Sequence, residues 1–255
     1  MDVLVCIKRV PDTGGAITLT EDGMSVDTRL LGHTVSPHEE AAVELAVQTA
    51  KATGGSATVL TVGTDDSIEQ LRNAVALGCT SPVLVEVEPE RYGPADVAGA
   101  IADVVRAHEE RGTSYDLVLL GNDAADTGDF QVGVRLAYEL GRPVVTGVSV
   151  FEVEGDVVNA RVESTDGTDV YRVPTPAVVT VMEGGVEPRY PSVPGRMKAK
   201  KAVVETVQPE REPVGSGRVR LTLPPAPPSQ VEVLGEGAAA APAVVDLLEK
   251  LGVAR

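Results

Sequence analysis

The chain has 255 residues, a formal net charge of −16 and 43% hydrophobic residues, which is enough for a sizeable core in one large domain or in one domain with an appendage. This acidic balance argues against nucleic acid or an anionic membrane as the main partner, because both require a basic face. No apolar run is long enough for a membrane span or a signal peptide, and two cysteines form neither a disulfide framework nor a metal-ligand spacing, so we expect a reduced, cytoplasmic compartment.

The first half of the chain alternates strands with amphipathic helices. Apolar runs predict strands at residues 2–7, 57–62, 83–87 and 117–120. Apolar residues at helical spacing predict helices after Ser36 and over residues 67–77, 94–111 and 134–140. Strands that alternate with such helices indicate a doubly wound, mostly parallel sheet. The expected fold is therefore α/β and Rossmann-like, of the type that binds adenine nucleotides.

The pattern changes after Pro143. Strands are predicted at residues 144–153, 157–164, 170–173 and 177–182 with little helix between them, which indicates an added antiparallel edge. A small hairpin is predicted over residues 16–27. We expect the nucleotide-binding domain to cover residues 1–207. The Pro-rich residues 208–255 predict an extended arm whose short helix, at residues 243–251, packs on a partner subunit.

The loop after residue 121 is the best candidate for a ligand-binding segment. It follows an apolar strand and precedes a helix, and in parallel sheets ligands lie at the carboxyl ends of strands, where unpaired N–H groups face an anion. The pattern favours a nucleotide-phosphate cradle, whereas a solvated connection is the alternative interpretation. The loop comprises Asn122, Asp123, Ala124, Ala125, Asp126, Thr127, Gly128, Asp129, Phe130, Gln131, Val132 and Gly133.

Other strand ends carry groups that suit the same site. Cys6 lies at the end of the first strand and Val62 at the end of the second. A capping box opens the intervening helix with Ser36, Pro37, His38 and Glu39. Because nearby carboxylates oppose added negative charge, a singly phosphorylated adenine-type nucleotide or a flavin dinucleotide is favoured over a polyphosphate.

Residues 186–201 form a basic segment in an otherwise acidic chain, with five basic residues against one acid. Prolines interrupt it and leave Val193 between Ser192 and Pro194. A rigid loop with an apolar tip and flanking cations suits docking on an acidic surface, although charge runs are usually solvated turns. The predicted docking residues are Val193, Arg196, Lys198, Lys200 and Lys201.

Motifs for catalysis or metal binding are not apparent. The position four residues after His38 is Ala42, so the second ligand of a zinc helix is missing. The glycines at Gly235 and Gly237 superficially match a dinucleotide fingerprint, but Pro242 interrupts the helix that this motif requires. No phosphate-loop lysine motif or nucleophile elbow is present. We expect no catalytic residues and no metal ligands.

The sequence resembles the beta subunit of electron transfer flavoprotein. The resemblance rests on residues 3–12, 36–44 and 122–133, and above all on residues 187–192 together with 197–201. These motifs span roughly residues 1–207. Thr13 and His38 depart from the family pattern, since mitochondrial-type members have a tyrosine near the flavin and a phenylalanine at these respective positions.

The resemblance implies an electron carrier rather than an enzyme. An alpha subunit would hold most of the FAD, and this subunit would bind AMP through Cys6, residues 36–39, Val62 and the loop 122–133. Val193 would enter a pocket on donors of the acyl-CoA dehydrogenase type, which act in fatty acid oxidation. Electrons would then pass to a membrane quinone oxidoreductase. The chemistry would be that of the flavin.

Three alternatives remain open at this point. An electron-bifurcating relative would hold a second FAD in place of AMP. A stand-alone adenine-nucleotide-binding regulator would be a monomer or homodimer, and it would leave the basic loop and the Pro-rich arm unexplained. An enzyme with its own active site is disfavoured because no nucleophile or base can be named.

Overall fold

The computed structural model describes residues 1–12, 14, 17–225 and 231–253. The chain forms two compact units, Met1–Leu221 and Thr222–Arg255. Thr13 lies outside the described residues, and so does Ala16, the first residue of the predicted small hairpin. Within the described part of that hairpin, an isolated antiparallel bridge joins Leu19 to Val26. The predicted domain boundary at residue 207 stays a prediction.

The strands and helices alternate as expected in the first half of the chain. The strands are β1 (Val3–Ile7), β2 (Val10–Pro11), β3 (His33–Thr34), β4 (Ala57–Gly63), β5 (Ser81–Glu86), β6 (Leu117–Gly121), β7 (Val144–Glu154), β8 (Val157–Ser164), β9 (Gly167–Pro174), β10 (Ala177–Val181) and β11 (Glu205–Val207). The helices are α1 (Pro37–Thr53), α2 (Ile68–Leu77), α3 (Pro94–Glu110), α4 (Val132–Leu140), α5 (Val193–Lys201) and α6 (Ala241–Lys250).

Nine strands form the main sheet, in the order β11-β5-β4-β1-β6-β10-β7-β8-β9. Pairing is parallel from β11 to β7. The β7–β8 and β8–β9 pairs are antiparallel. The predicted α/β fold, mostly parallel with an antiparallel edge, is confirmed. A separate two-stranded sheet joins β2 to β3.

Helices cover both faces of the parallel strands. One core cluster contains Val3, Val5 and residues of α1 and α2. The other contains Leu4, Cys6 and residues of α3 and α4. Side chains of a strand alternate between faces, so β1 contributes to both clusters, and its five residues are all buried. Among the helices of the described residues, none is long and apolar enough to cross a membrane.

The strand β10, which the sequence pattern grouped with the later strands, does not belong to the antiparallel edge. This strand pairs in parallel with β6 on one side and β7 on the other. All five of its residues are buried, which suits an interior strand covered on both faces. The position of β10 inside the sheet depends on pairing with strands that are distant in the sequence. Local sequence patterns do not reveal such pairing.

The expectation of a loop over residues 186–201 was wrong for its second half, because residues 193–201 form α5. The Ser192 hydroxyl accepts a hydrogen bond from the backbone N–H of Gly195 (3.1 Å) and caps this helix. Pro194 lies in the first turn, where a missing N–H has no cost. Ala199 is buried, and α5 packs against α2.

The Pro-rich segment begins within the first unit, and there its residues 211–215 lie along α3. The Asp96 carboxylate, at the start of that helix, accepts hydrogen bonds from the backbone N–H groups of Val214 (2.9 Å) and Gly215 (2.8 Å). Arg211 pairs with Asp103 at 2.7 Å. These contacts hold the segment through its backbone as well as its charges. Packing of the arm on a partner subunit stays a prediction.

Candidate functional site

The candidate site lies where the chain reverses its direction across the sheet. From β1 the chain passes through α1 to β4 on one side, and from β6 it passes through α4 to β7 on the other. The strands β1 and β6 are parallel neighbours, and α1 and α4 cover opposite faces. A crevice outside the carboxyl ends of such strands is the usual ligand position in open α/β sheets.

The first residue of the nucleotide loop, which we define as residues 122–131, is anchored to the sheet. The backbone N–H of Asn122 donates to the Val181 carbonyl at 2.8 Å. Its side-chain Oδ1 accepts from the backbone N–H of Gly147 (2.9 Å) and from the Thr180 hydroxyl (2.7 Å). Asn122 is therefore directed toward β10 and β7, and its side chain sets where the loop begins.

Two side-chain contacts then join the nucleotide loop to the segments after β1 and before α1. Lys8 Nζ donates to Asp126 Oδ1 at 2.8 Å. His38 Nε2 lies 2.9 Å from Asp123 Oδ1. Lys8 was not among the predicted site residues, although its position directly after an apolar strand was a usable signal. The structure thus brings the loop acids together with one cation and one imidazole.

The start of α1 buries a carboxylate beneath the loop. Glu39 is 5% exposed, and its Oε2 accepts from the backbone N–H (3.0 Å) and the hydroxyl (2.7 Å) of Ser36, which confirms the predicted capping box. Burial raises the pKa of Glu39 to about 7, against the hydrogen bonds from Ser36 and from the Lys8 backbone. Burial and the nearby Glu39 raise the pKa of the Cys6 thiol, which favours its neutral form.

The loop has an unusual backbone at its far end. Phe130 has φ 52°, in the left-handed region, and its side chain is 59% exposed. Non-glycine residues rarely adopt this conformation, and such strain is concentrated at functional sites. A Cβ at Gly133 would collide with the Thr180 methyl group. The first turn of α4 therefore lies directly on β10, and its N–H groups have no acceptor within the helix.

The structure does not bring every predicted residue into these contacts. Val62 lies at the end of β4, the strand next to β1, and packs partly buried against the second core cluster. Pro37 is exposed in the first turn of α1. Nucleotide contacts by any of the predicted residues stay a prediction.

Glu39→Gln is expected to weaken the dependence of stability on pH. The pKa of this carboxyl is raised in the folded state, so its contribution to stability is complete below the unfolded value near 4.5 and is lost as the pH rises through about 7. Glutamine keeps an acceptor for Ser36 but has no charge to bury. Thermal unfolding between pH 4.5 and 8 measures this, with exposed Glu69→Gln as the control. If the stability of Glu39→Gln depended on pH as strongly as that of the wild type, the raised pKa of Glu39 would be contradicted.

The predicted docking residues lie on a helix that is fastened at its base. Arg189, just before α5, donates from Nε (2.7 Å) and from its terminal NH2 (2.7 Å) to the two oxygens of Glu44 on α1. Val193 is 77% exposed and Met197 is 55% exposed. Residues four apart share a helix face, so Met197 joins Val193 there, a pairing that the loop interpretation missed.

The four predicted cations are all exposed but do not share one surface. Helical spacing places Lys200, Lys201 and Arg196 on the Val193 side of α5. Lys198 instead acts electrostatically on the buried Cys79 thiol, which follows α2. Helical spacing also places Lys198 about 140° around α5 from Val193, so the basic face next to Val193 consists of the other three residues.

Comparisons with known proteins agree with this architecture. The model of the electron transfer flavoprotein domain family matches residues 24–212. The beta subunit of Bacillus subtilis electron transfer flavoprotein is 35% identical over 82% of this chain and 79% of its own length. The corresponding subunit of Syntrophomonas wolfei is 32% identical over 92% and 91%, and the human subunit is 36% identical over 81% of both chains.

One further relative is also named as an electron transfer subunit, although of a different complex. The acryloyl-CoA reductase electron transfer subunit gamma of Anaerotignum propionicum is 30% identical over 78% of this chain and 74% of its own length. Identity above 30% over most of both chains, with a family model that covers most of the residues, establishes descent. This chain belongs to the electron transfer flavoprotein beta subunit family, whose members serve in electron transfer with a flavin and an alpha subunit.

Proposed function

We propose that this protein is the beta subunit of a heterodimeric electron transfer flavoprotein and binds AMP between the nucleotide loop, the start of α1 and the end of β1. The main support for this proposal is that these segments meet at the carboxyl ends of β1 and β6. The Lys8–Asp126 and His38–Asp123 contacts join them there. A cytoplasmic location is part of the same proposal.

The charges of this edge fit a nucleotide with a single phosphate. Asp123 and Asp126 each lie beside one basic side chain, and burial raises the pKa of the Glu39 carboxyl to about 7. Backbone N–H groups at the start of α4, which have no acceptor within the helix, would supply donors for one phosphate. A polyphosphate would add negative charge beside these carboxylates without a further free cation at the contacts described.

In this proposal the alpha subunit holds most of the FAD, which supplies the redox chemistry when bound. The residues of this chain provide its surroundings and the docking surface. The exposed face of α5, with Val193, Met197 and the adjacent cations, would bind flavoenzyme donors of the acyl-CoA dehydrogenase type. A membrane quinone oxidoreductase would accept the electrons.

Ligand content tests the function. The chain is co-expressed with its alpha partner, and the ligands released from the purified complex are identified by mass spectrometry. One FAD and one AMP per heterodimer are expected. Two FAD molecules would instead indicate the electron-bifurcating form. A nucleotide-binding monomer or homodimer that forms no complex with an alpha subunit would indicate the regulator.

Val193→Ala is expected to weaken donor docking about fivefold, since truncation of an exposed apolar anchor costs about 1 kcal/mol. The concentration dependence of flavin reduction by an acyl-CoA dehydrogenase measures the effect. Val203→Ala is the matched control, because Val203 is 87% exposed but lies beyond the end of α5. Loss of FAD or AMP from the Val193 variant would show a structural role and contradict the docking assignment.

A further inference from the structure

His38 joins segments of the carboxyl edge that are far apart in the sequence. Its side chain is 16% exposed and belongs to the first turn of α1. Its Nδ1 accepts a hydrogen bond from the backbone N–H of Glu183 at 3.0 Å. Its Nε2 lies 2.9 Å from Asp123 Oδ1. One ring therefore touches both the nucleotide loop and the turn that follows β10.

The Glu183 contact determines where the imidazole carries its proton. A backbone N–H can only donate, so Nδ1 is the acceptor and the proton of the neutral ring lies on Nε2. Nε2 lies 2.9 Å from Asp123 Oδ1, which is an electrostatic contact. Oδ1 of Asp123 is completely buried and accepts no aligned hydrogen bond within the described residues, so the imidazole is the polar group that lies beside it. Without the imidazole, Asp123 would be a buried carboxylate with no partner at this oxygen, which is costly.

The backbone around His38 leaves little room for adjustment. A Cβ at Gly121 would lie 3.1 Å from His38 Cβ and 2.8 Å from Glu39 Cγ. The end of β6 and the first turn of α1 are therefore in direct contact, and only glycine fits between them. A shift of His38 would move the start of the nucleotide loop with it.

The turn after β10 leads to α5, and α1 holds this stretch at two points. His38 contacts the backbone of Glu183 at the beginning of the stretch. Glu44, also on α1, holds Arg189 near its end. The 17-residue α1 is thus a common support for the nucleotide loop and for residues 183–192, which precede α5.

On the basis of the function proposed above, we propose that His38 is a positioning residue. It holds the nucleotide loop through Asp123 and residues 183–192 through Glu183. Retention of the nucleotide and order in the segment before α5 then depend on the same side chain. His38 acts in this role through its neighbours, and it takes no part in electron transfer itself.

Variants that remove one contact at a time test the proposal in the purified heterodimer. His38→Ala removes both contacts and should release AMP about tenfold faster, as expected when a buried carboxylate loses its polar neighbour. His38→Gln reaches toward Asp123 with an amide N–H and should restore slow release. His38→Asn keeps an acceptor near the Nδ1 position but does not reach Asp123, so AMP release should stay fast.

Hydrogen exchange measured by mass spectrometry reports the second contact. Residues 183–192 should exchange faster in His38→Ala and His38→Gln, and at the wild-type rate in His38→Asn. FAD content should not change in any variant. His33→Ala is the matched control, because the described residues show no side-chain hydrogen bond for this histidine.

The outcomes separate this inference from the proposed function. If the wild-type complex carries no AMP, the proposed function fails, and hydrogen exchange of residues 122–131 and 183–192 still decides the role of His38. If His38→Ala matches His33→Ala in both AMP release and exchange, the inference is wrong. Loss of FAD together with AMP would indicate a general folding role and would also overturn it.

Discussion

Arg189→Ala is expected to lower the free energy of unfolding by roughly 2 kcal/mol. The Glu44 carboxylate that Arg189 pairs with is 6% exposed, and it would remain buried without its strongest donors. The Arg189 side chain is itself 37% exposed, so solvent already screens part of the pair, and the larger losses known for fully buried pairs are not expected. Gln48 would still donate to Glu44 at 2.7 Å.

The loss should depend on pH in a defined direction. The hydrogen bonds and charge of Arg189, with the hydrogen bond from Gln48, outweigh burial and hold the pKa of Glu44 below its ordinary value. A group with a lowered folded-state pKa stabilises the fold above its unfolded pKa, and this stabilisation disappears as the pH falls through the folded value. The difference between wild type and Arg189→Ala should therefore be largest near neutral pH and should shrink below about pH 4.

Thermal unfolding of the heterodimer between pH 3.5 and 8 measures this difference. Arg196→Ala is the matched control, because Arg196 is exposed on α5 and the described residues show no ion pair for it. Hydrogen exchange should also rise in residues 183–192 of the Arg189 variant. Equal stability of the two variants at pH 7 would mean that the Arg189–Glu44 pair does not stabilise the segment before α5.

Lys200→Glu combined with Lys201→Glu is expected to slow association with the flavoenzyme donor about tenfold at low salt. Both lysines lie on the exposed side of α5, in a chain whose net charge is −16. Two charge reversals at the basic surface would therefore leave little to attract an acidic partner. Because such attraction is screened by salt, the difference from wild type should decrease as ionic strength rises.

Stopped-flow reduction of the flavin at several salt concentrations measures the association rate. The matched comparison is Lys200→Glu against Lys198→Glu, which makes the same charge change at a position about 140° around α5 from Val193. The Lys198 variant should associate nearly as fast as wild type. Equal slowing by both single variants would show that net charge matters and that no particular face of α5 is used.

Much of the fold was predictable from local patterns. The apolar runs of β1, β4 and β6 and the Ser36 capping box indicated elements within a few residues of those observed, because burial on both faces and helix capping are properties of short segments. The α5 helix was missed because Pro191 and Pro194 suggest a loop. In the structure Pro194 lies in the first turn, the one part of a helix that accepts proline.

The contacts of the candidate site were less predictable. Lys8 and Asp126 are 118 residues apart, and His38 and Glu183 are 145 residues apart. Local periodicity contains no information about such pairs. The sequence did identify the nucleotide loop and the start of α1 as neighbours, since the carboxyl ends of parallel strands meet at one edge.

The sequence by itself determined the alternation of strands and helices, the family and the two segments that we propose carry function, because burial patterns, caps and motifs are written in consecutive residues. Only the tertiary structure decided that β10 lies inside the sheet and that residues 193–201 form a helix with a basic face next to Val193. It also decided that α1 supports both segments through His38 and Glu44. These features depend on the strand order and on packing between distant residues, which are settled only when the whole core forms.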